Sequence, residues 1–194
     1  INQLNAICGI LFTETIGQFQ EDPNLHLMWC IDDVAYNGET SELNEDTNTI
    51  TITLDESYVN NSTMTTHIKL AKTMLHEAIH ANIEAYLEGK HDLANENTQN
   101  TARLLQLFKF YKQQENPEYA SQYTDHIFMA EFYIDAIAEA LWELNDYEGD
   151  VENYYWFAWD GVEYWVDDSY LTDQQMEEYR QLSLQIDPNL EECE

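Results

Sequence analysis

The sequence predicts an α+β domain, mainly helical with one small sheet, and three observations carry that expectation. Thr49-Ile50-Thr51-Ile52-Thr53-Leu54 alternates strictly between β-forming residues, the period-two pattern of a strand with one buried face. Two long stretches, about residues 63–88 and 124–144, repeat apolar side chains at helical spacing. Hydrophobic residues make up 44% of the 194-residue chain, enough for one substantial core and too many for a disordered segment. No internal repeat or low-complexity linker divides the chain, so a single domain over 1–194 is expected, with an aromatic and helical C-terminal lobe from about residue 146.

Taken in order, residues 1–20 show helical spacing through Leu4, Ile7, Leu11 and Ile16. Leu25 to Val34 reads as a short strand, followed by a polar loop through Asn48 and the Thr49–Leu54 strand, expected at the sheet edge. Asn61-Ser62-Thr63 offers N-cap chemistry for a helix that runs to Glu88, with Gly89 as its stop. On that helix Ala71, Met74, Ala78, Ala81 and Ala85 share one side, and Lys69, Thr73, His76, His80, Ile83 and Leu87 share the other. Thr101 to Gln114 predicts a further amphipathic helix, and a loop around Pro117 leads to the helix Thr124–Leu144. The aromatic block Tyr154-Tyr155-Trp156-Phe157-Ala158-Trp159 reads as core, and Thr172 with Gln175 forms a capping box that opens the last helix.

Thirty-eight Asp and Glu against seven Lys and Arg give a net charge of −31. So few cations exclude a protein that grips nucleic-acid phosphate through counterion release, and they disfavour an anionic membrane surface. The acidic balance favours solubility, and among partners it favours basic polypeptides. No apolar run approaches the roughly 18 residues needed to span a bilayer, and no export signal is visible, so the sequence predicts a soluble chain. Cys8, Cys30 and Cys193 are too few and too scattered for a disulfide framework and read as free thiols. Six of the seven cations form a central block, Lys69, Lys72, Lys90, Arg103, Lys109 and Lys112; Arg180 lies outside it.

The chemistry is concentrated in His76-Glu77-Ala78-Ile79-His80. Four helical residues advance roughly 400°, which stacks the two imidazoles on one face, a turn apart, where both can reach one Zn²⁺. Glu77 lies about 100° round the helix, placed to act on water as a general base instead of as a ligand. Such a site needs a third protein ligand. Glu84, His91, His126, Glu131 and Asp135 are the candidates. With His126 as reference, Met129, Ala130, Tyr133, Ile137, Ala140, Leu141 and Leu144 fall on its side of the helix, whereas Glu131, Asp135, Glu139 and Glu143 fall on the other. Facing thus favours His126, with Glu131 as the alternative. Glu84 suits a hydrogen bond to a ligand imidazole, and His91 follows the helix stop.

The Thr49–Leu54 strand leading into Ala71-Lys72-Thr73-Met74-Leu75-His76-Glu77-Ala78-Ile79-His80-Ala81 resembles uncharacterised zincin-like proteins of Bacteroides- and Flavobacterium-type bacteria, described as SprT-like metallopeptidases. Their pattern continues with a His, a Met-Ala pair and a Tyr on a later helix, matched here by Asp125-His126, Met129-Ala130 and Tyr133, then Asp135-Ala136-Ile137-Ala138. Where they carry an aromatic stretch and a Trp-Gly-Gly-Leu-like turn, this chain has Trp159-Asp160-Gly161-Val162, which departs from the pattern. The resemblance runs from about residue 49 to the final helix. It implies a zincin-like fold, His76, His80 and His126 as zinc ligands, and Glu77 as the acid/base.

The expected activity is zinc-dependent peptide hydrolysis, with an extended, basic polypeptide pairing against the Thr49–Leu54 edge. Tyr133, Tyr154 and Tyr155 are candidates to stabilise the oxyanion. Two rival readings are a catalytically silent interaction protein that keeps the zincin scaffold, and an acidic mimic of nucleic acid. The first could dispense with Glu77 and the second with the histidines.

Overall fold

The strand Thr49–Asp55 (β3) turns Ile50, Ile52 and Leu54 inward and leaves its threonines half-buried, as the alternation predicts. It is the central strand, not an edge. In this computed structural model, which describes residues 11, 13–17, 19, 24–61, 66–87, 117–188 and 190, His26–Asp32 (β1) pairs with β3 in parallel, from His26 opposite Thr49 to Asp32 opposite Asp55. Gly38–Thr40 (β2) pairs antiparallel on the other side, giving a three-stranded mixed sheet in the order β1-β3-β2. β2 lies inside the stretch expected to be a polar loop. Three residues with one glycine carry no alternation, and only long-range pairing to β3 defines the strand.

Asp55 ends β3 and caps the short helix Glu56–Asn60 (α1) by accepting the Tyr58 N–H at 2.8 Å. Asn61 closes α1, so it does not open the helix that follows. That helix, His67–Leu87 (α2), begins after Thr66, whose Oγ1 accepts the Lys69 N–H at 3.4 Å. The side expected of α2 through Ala71, Met74, Ala78, Ala81 and Ala85 is divided between two clusters, and Met74, His76 and His80 are only partly buried. Ala71, Leu75, Ala78, Ile79 and Ile83 join the larger core with the later helices, whereas Ala81 and Ala85 pack with Ile50, Ile52 and Leu54 of the sheet. α2 is therefore the wall between two hydrophobic clusters.

Pro117 opens a helix in place of the expected loop: Pro117–Phe132 (α3) starts with proline at the position where its missing N–H costs nothing. The single helix expected to reach Leu144 is bent at Tyr133 (φ −121°), beyond which Ile134–Leu144 (α4) continues. The i→i−4 hydrogen bonds pass through the bend, Tyr133 N to Met129 O and Ile137 N to Tyr133 O, both 2.8 Å. The face that carries His126, Met129, Tyr133, Ile137 and Leu141 thus stays in register and buried. A 3₁₀ turn at Val151–Tyr154 and the short helix Tyr155–Trp159 (α5) set Tyr154, Phe157, Ala158 and Trp159 into the same core, as the aromatic block predicts. Asp173–Ser183 (α6) opens with the expected capping box between Thr172 and Gln175.

At the N-terminal end, a single π-helical turn at Thr13–Gly17 brings Ile16 into the core beside Leu11. Leu4, Ile7, the Thr101–Gln114 helix, Gly89, His91, Cys8, Cys193 and the cations Lys90, Arg103, Lys109 and Lys112 lie outside the described residues; Cys30 is a free thiol. Among the described residues no helix is long and apolar enough to cross a membrane. Leu75, fully buried on α2, is the sharpest test of the two-sided burial. Leu75→Ala is expected to cost about 2–5 kcal/mol by urea denaturation, against about 1 kcal/mol for Thr172→Ala at the α6 cap.

Candidate metal centre

α2 carries His76 and His80 one turn apart on the stripe that faces α3, and α3 presents His126 from the opposite wall. His126 is 8% exposed and the other two are partly buried. The ring centroids form a near-equilateral triangle of 4.9, 5.3 and 5.0 Å. One nitrogen from each ring lies within 4.8 Å of the others, and the His76 and His80 Nε2 atoms approach to 3.2 Å. Three convergent imidazoles could hold a metal ion. Of the alternatives, Glu131 and Asp135 are exposed on the outer side of the bent α3–α4 pair.

The imidazoles are aimed by neighbours. Asp125 Oδ2 lies 3.2 Å from His80 Nδ1, so that nitrogen donates to the carboxylate and Nε2 turns its lone pair toward His76. Burial alone would lower the His80 pKa, but the hydrogen bond and charge of Asp125, with a further contribution from Glu77, leave it raised above 6.5. His76 stands well below 6.5, driven down by burial and then by the charges of His80, Lys72 and His126. It is neutral at physiological pH, the form a ligand requires. The Trp165 ring stacks on His126 at 5.1 Å and 16°, which fixes the plane of the third imidazole.

Glu77 is 7% exposed, and its Oε2 accepts a hydrogen bond from Thr40 Oγ1 of β2 at 2.8 Å. On the other side of the imidazoles, the turn Trp159–Val162 closes over α2. Gly161 (φ +88°) comes so near that a Cβ would stand 3.8 Å from His76 Cε1 and 3.9 Å from Lys72 Nζ. Lys72, one turn before His76, meets Asp160 of this turn at 2.7 Å. Burial depresses the lysine, and Asp160 more than offsets it. Glu163 follows, with Oε2 buried and without a hydrogen-bond partner; burial and then Asp160 push its carboxyl up to about 7.

Glu84, Tyr154 and Tyr155 bond to groups other than the imidazoles. Glu84 Oε1 accepts the Leu43 N–H at 3.0 Å, tying the segment after β2 to α2; the carboxylate that reaches a ligand imidazole is Asp125. Tyr154 is fully buried, its hydroxyl bonded to Asn145 Nδ2 at 2.8 Å and Glu148 O at 2.9 Å. Tyr155 donates to Asp135 Oδ1 at 2.8 Å and stacks on Tyr179. Tyr133 packs edge-on against Phe128 in the core. The sequence assigned no role at the centre to Asp125, Thr40, Lys72, Asp160 or Trp165. Lys72 had a signal, since it precedes His76 and His80 by four and eight residues on one face, and Asp125 directly precedes His126.

No protein-family model, curated protein or solved structure matches this chain. The centre therefore stands on its own geometry. His126→Ala is expected to abolish stoichiometric binding of Zn²⁺ or Co²⁺ in equilibrium dialysis, and Glu131→Ala to leave it intact. At pH 8, Asp125→Asn should weaken metal binding by about 10- to 100-fold through lost orientation of His80.

The metal-free protein gives a second test. Because the folded His80 pKa is raised, its pairing with Asp125 stabilises most below the unfolded value near 6.5 and is lost as pH rises through the folded value. The stability gap between wild type and Asp125→Asn should accordingly narrow as pH increases, measured by urea denaturation in chelator.

Proposed function

We propose that this chain is a zinc metallopeptidase of zincin-like type, with His76, His80 and His126 as ligands and Glu77 as the general base and acid. The observation that carries the reading is the convergence of three imidazoles from two helices beside a buried carboxylate on the same helix as two of them. The donor set fits zinc. Zn–N bonds of about 2.0–2.1 Å in a tetrahedron set ligand nitrogens about 3.3–3.4 Å apart; His76 and His80 Nε2 are 3.2 Å apart, and a His126 nitrogen lies within 4.8 Å of them. Three protein nitrogens leave one position open, the arrangement of catalytic and not structural zinc.

Zinc, when bound, polarises a carbonyl oxygen and lowers the pKa of water. Glu77 takes a proton from the attacking water and returns it to the departing amine. Asp125 keeps His80 in the tautomer protonated on Nδ1, which leaves the Nε2 lone pair for a metal. An extended polypeptide would pair with the outer edge of β2, since β3 is flanked on both sides and β2 is the strand that reaches Glu77. A net charge of −31 favours basic substrates through steering that weakens with salt.

The test is elemental analysis together with a quenched-fluorescence peptide library. About one zinc per chain is expected, with cleavage next to Lys or Arg. Glu77→Gln should keep the zinc and lose at least about 100-fold in kcat. Absence of zinc from protein purified in excess metal, or a Glu77→Gln variant as active as wild type, would end this reading.

A further inference from the structure

We infer that β2 is the device that aims the base: Thr40 pins one oxygen of the Glu77 carboxylate, and the missing side chain of Gly38 leaves room for the other. The inference rests on Glu77 being the base of the proposed reaction, and it assigns positioning roles to two residues outside the metal-binding motif.

A glutamate has three side-chain torsions, so a carboxylate must be held if it is to meet water in one orientation. α2 supplies no such restraint by itself, because Glu77 sits about 100° from the ligand face and projects toward the sheet. The restraint comes from the sheet. Thr40 Oγ1 lies 2.8 Å from Glu77 Oε2 and 3.0 Å from the Glu77 carbonyl oxygen, so one hydroxyl touches both ends of the residue. Threonine is stiff at χ1, and Thr40 is fixed in the ladder opposite Ile52 of the fully buried side of β3.

Two residues earlier, Gly38 faces the same side chain. A Cβ there would meet Glu77 Cγ at 2.9 Å, Thr73 Cγ2 at 2.9 Å and Glu77 Oε1 at 3.3 Å. The backbone of Gly38 has no positive φ, so glycine is required by this close approach and not by conformation. Residues 38 and 40 point to the same face of β2, which is why one strand can act on both oxygens. With Oε2 held by Thr40, Oε1 is the oxygen left to accept a proton.

Positioning differs from mere packing in what it moves. In full-length, zinc-loaded protein acting on the best-cleaved library peptide, Thr40→Val is expected to lower kcat by about 10- to 100-fold with KM and zinc content unchanged. Thr40→Ser, which restores the hydroxyl, should recover most of that loss. Gly38→Ala should lower kcat similarly, by displacing the carboxylate. Crystal structures supply a readout independent of activity: Glu77 should leave its wild-type rotamer in Thr40→Val and in Gly38→Ala, and keep it in Thr40→Ser.

Wild-type activity in Thr40→Val, or equal losses in Thr40→Val and Thr40→Ser, would overturn the inference while leaving the metallopeptidase reading in place. Failure of wild-type protein to cleave any peptide would remove the catalytic meaning of Glu77 and with it the aiming role. The crystal structures would then report only whether the contact holds the side chain.

Discussion

The structure depends on how the polar stripe of α2 is satisfied. A helix walled in by two hydrophobic clusters has no solvent to spare for its charges, yet α2 carries Lys69, Lys72, His76, Glu77, His80 and Glu84 along its length. Burying such groups unpaired costs far more than any one of them could contribute. His76 meets His80 on the same helix, and each of the other five is met by a different part of the chain. Lys69 meets Asp187 at 3.6 Å near the C-terminal end, Lys72 meets Asp160 in the turn after α5, and Glu77 meets Thr40 of β2. His80 meets Asp125 of α3, and Glu84 meets the Leu43 backbone. The contacts that make a polar core tolerable are therefore also those that dock the sheet, α3 and the C-terminal segment around the histidines.

This arrangement explains which features could be seen in the sequence. The histidine pair, the inward facing of His126, the β3 alternation and the Thr172–Gln175 cap are all local patterns, fixed by the period of one helix or strand. Their expression in the fold needed only that each element keep its register, and at Tyr133 the hydrogen bonds pass through the bend that might have broken it. What the sequence hid is the pairing between elements. Nothing local marks β3 as central, because that depends on β2, a three-residue strand with a glycine in a polar stretch. Nothing local assigns Asp125 to His80, 45 residues away, or Thr40 to Glu77, 37 residues away. The partners of two tyrosines expected at the centre are hidden in the same way. Tyr154 and Tyr155 are drawn off by Glu148, Asn145 and Asp135, partners that the spacing of aromatic residues cannot reveal.

The extreme charge of the chain looks different once its cations are located. Among the described residues Lys69, Lys72 and Arg180 are the Lys and Arg side chains, and each has a carboxylate partner. Lys69 and Lys72 are 8% and 7% exposed, so two of the three are spent inside the fold. Each of these pairs is neutral, so placing a cation in it removes as much negative as positive charge and leaves the net charge of −31 to the rest of the chain. A net charge of that size makes copies of the chain repel one another.

At the centre itself the charges can be counted. Lys72 and Asp160 cancel at 2.7 Å, which keeps a lysine next to His76 without making the site repel cations. The same lysine helps hold His76 neutral, so it favours the ligand form of an imidazole that it would otherwise oppose filling. Beside Glu163, whose carboxyl is pushed up to about 7, the carboxylates of Asp125 and Glu77 remain, one bonded to an imidazole and the other to a neutral hydroxyl. Neither hydrogen bond removes a negative charge. A divalent ion among three neutral imidazoles would bring two positive charges to meet those two, at short range and out of bulk water, where such balance matters most. Of the two, Asp125 also bonds directly to one of the three imidazoles, so its loss disturbs both the charge and the aim of the site, whereas Glu77→Gln leaves all three imidazoles as they are aimed.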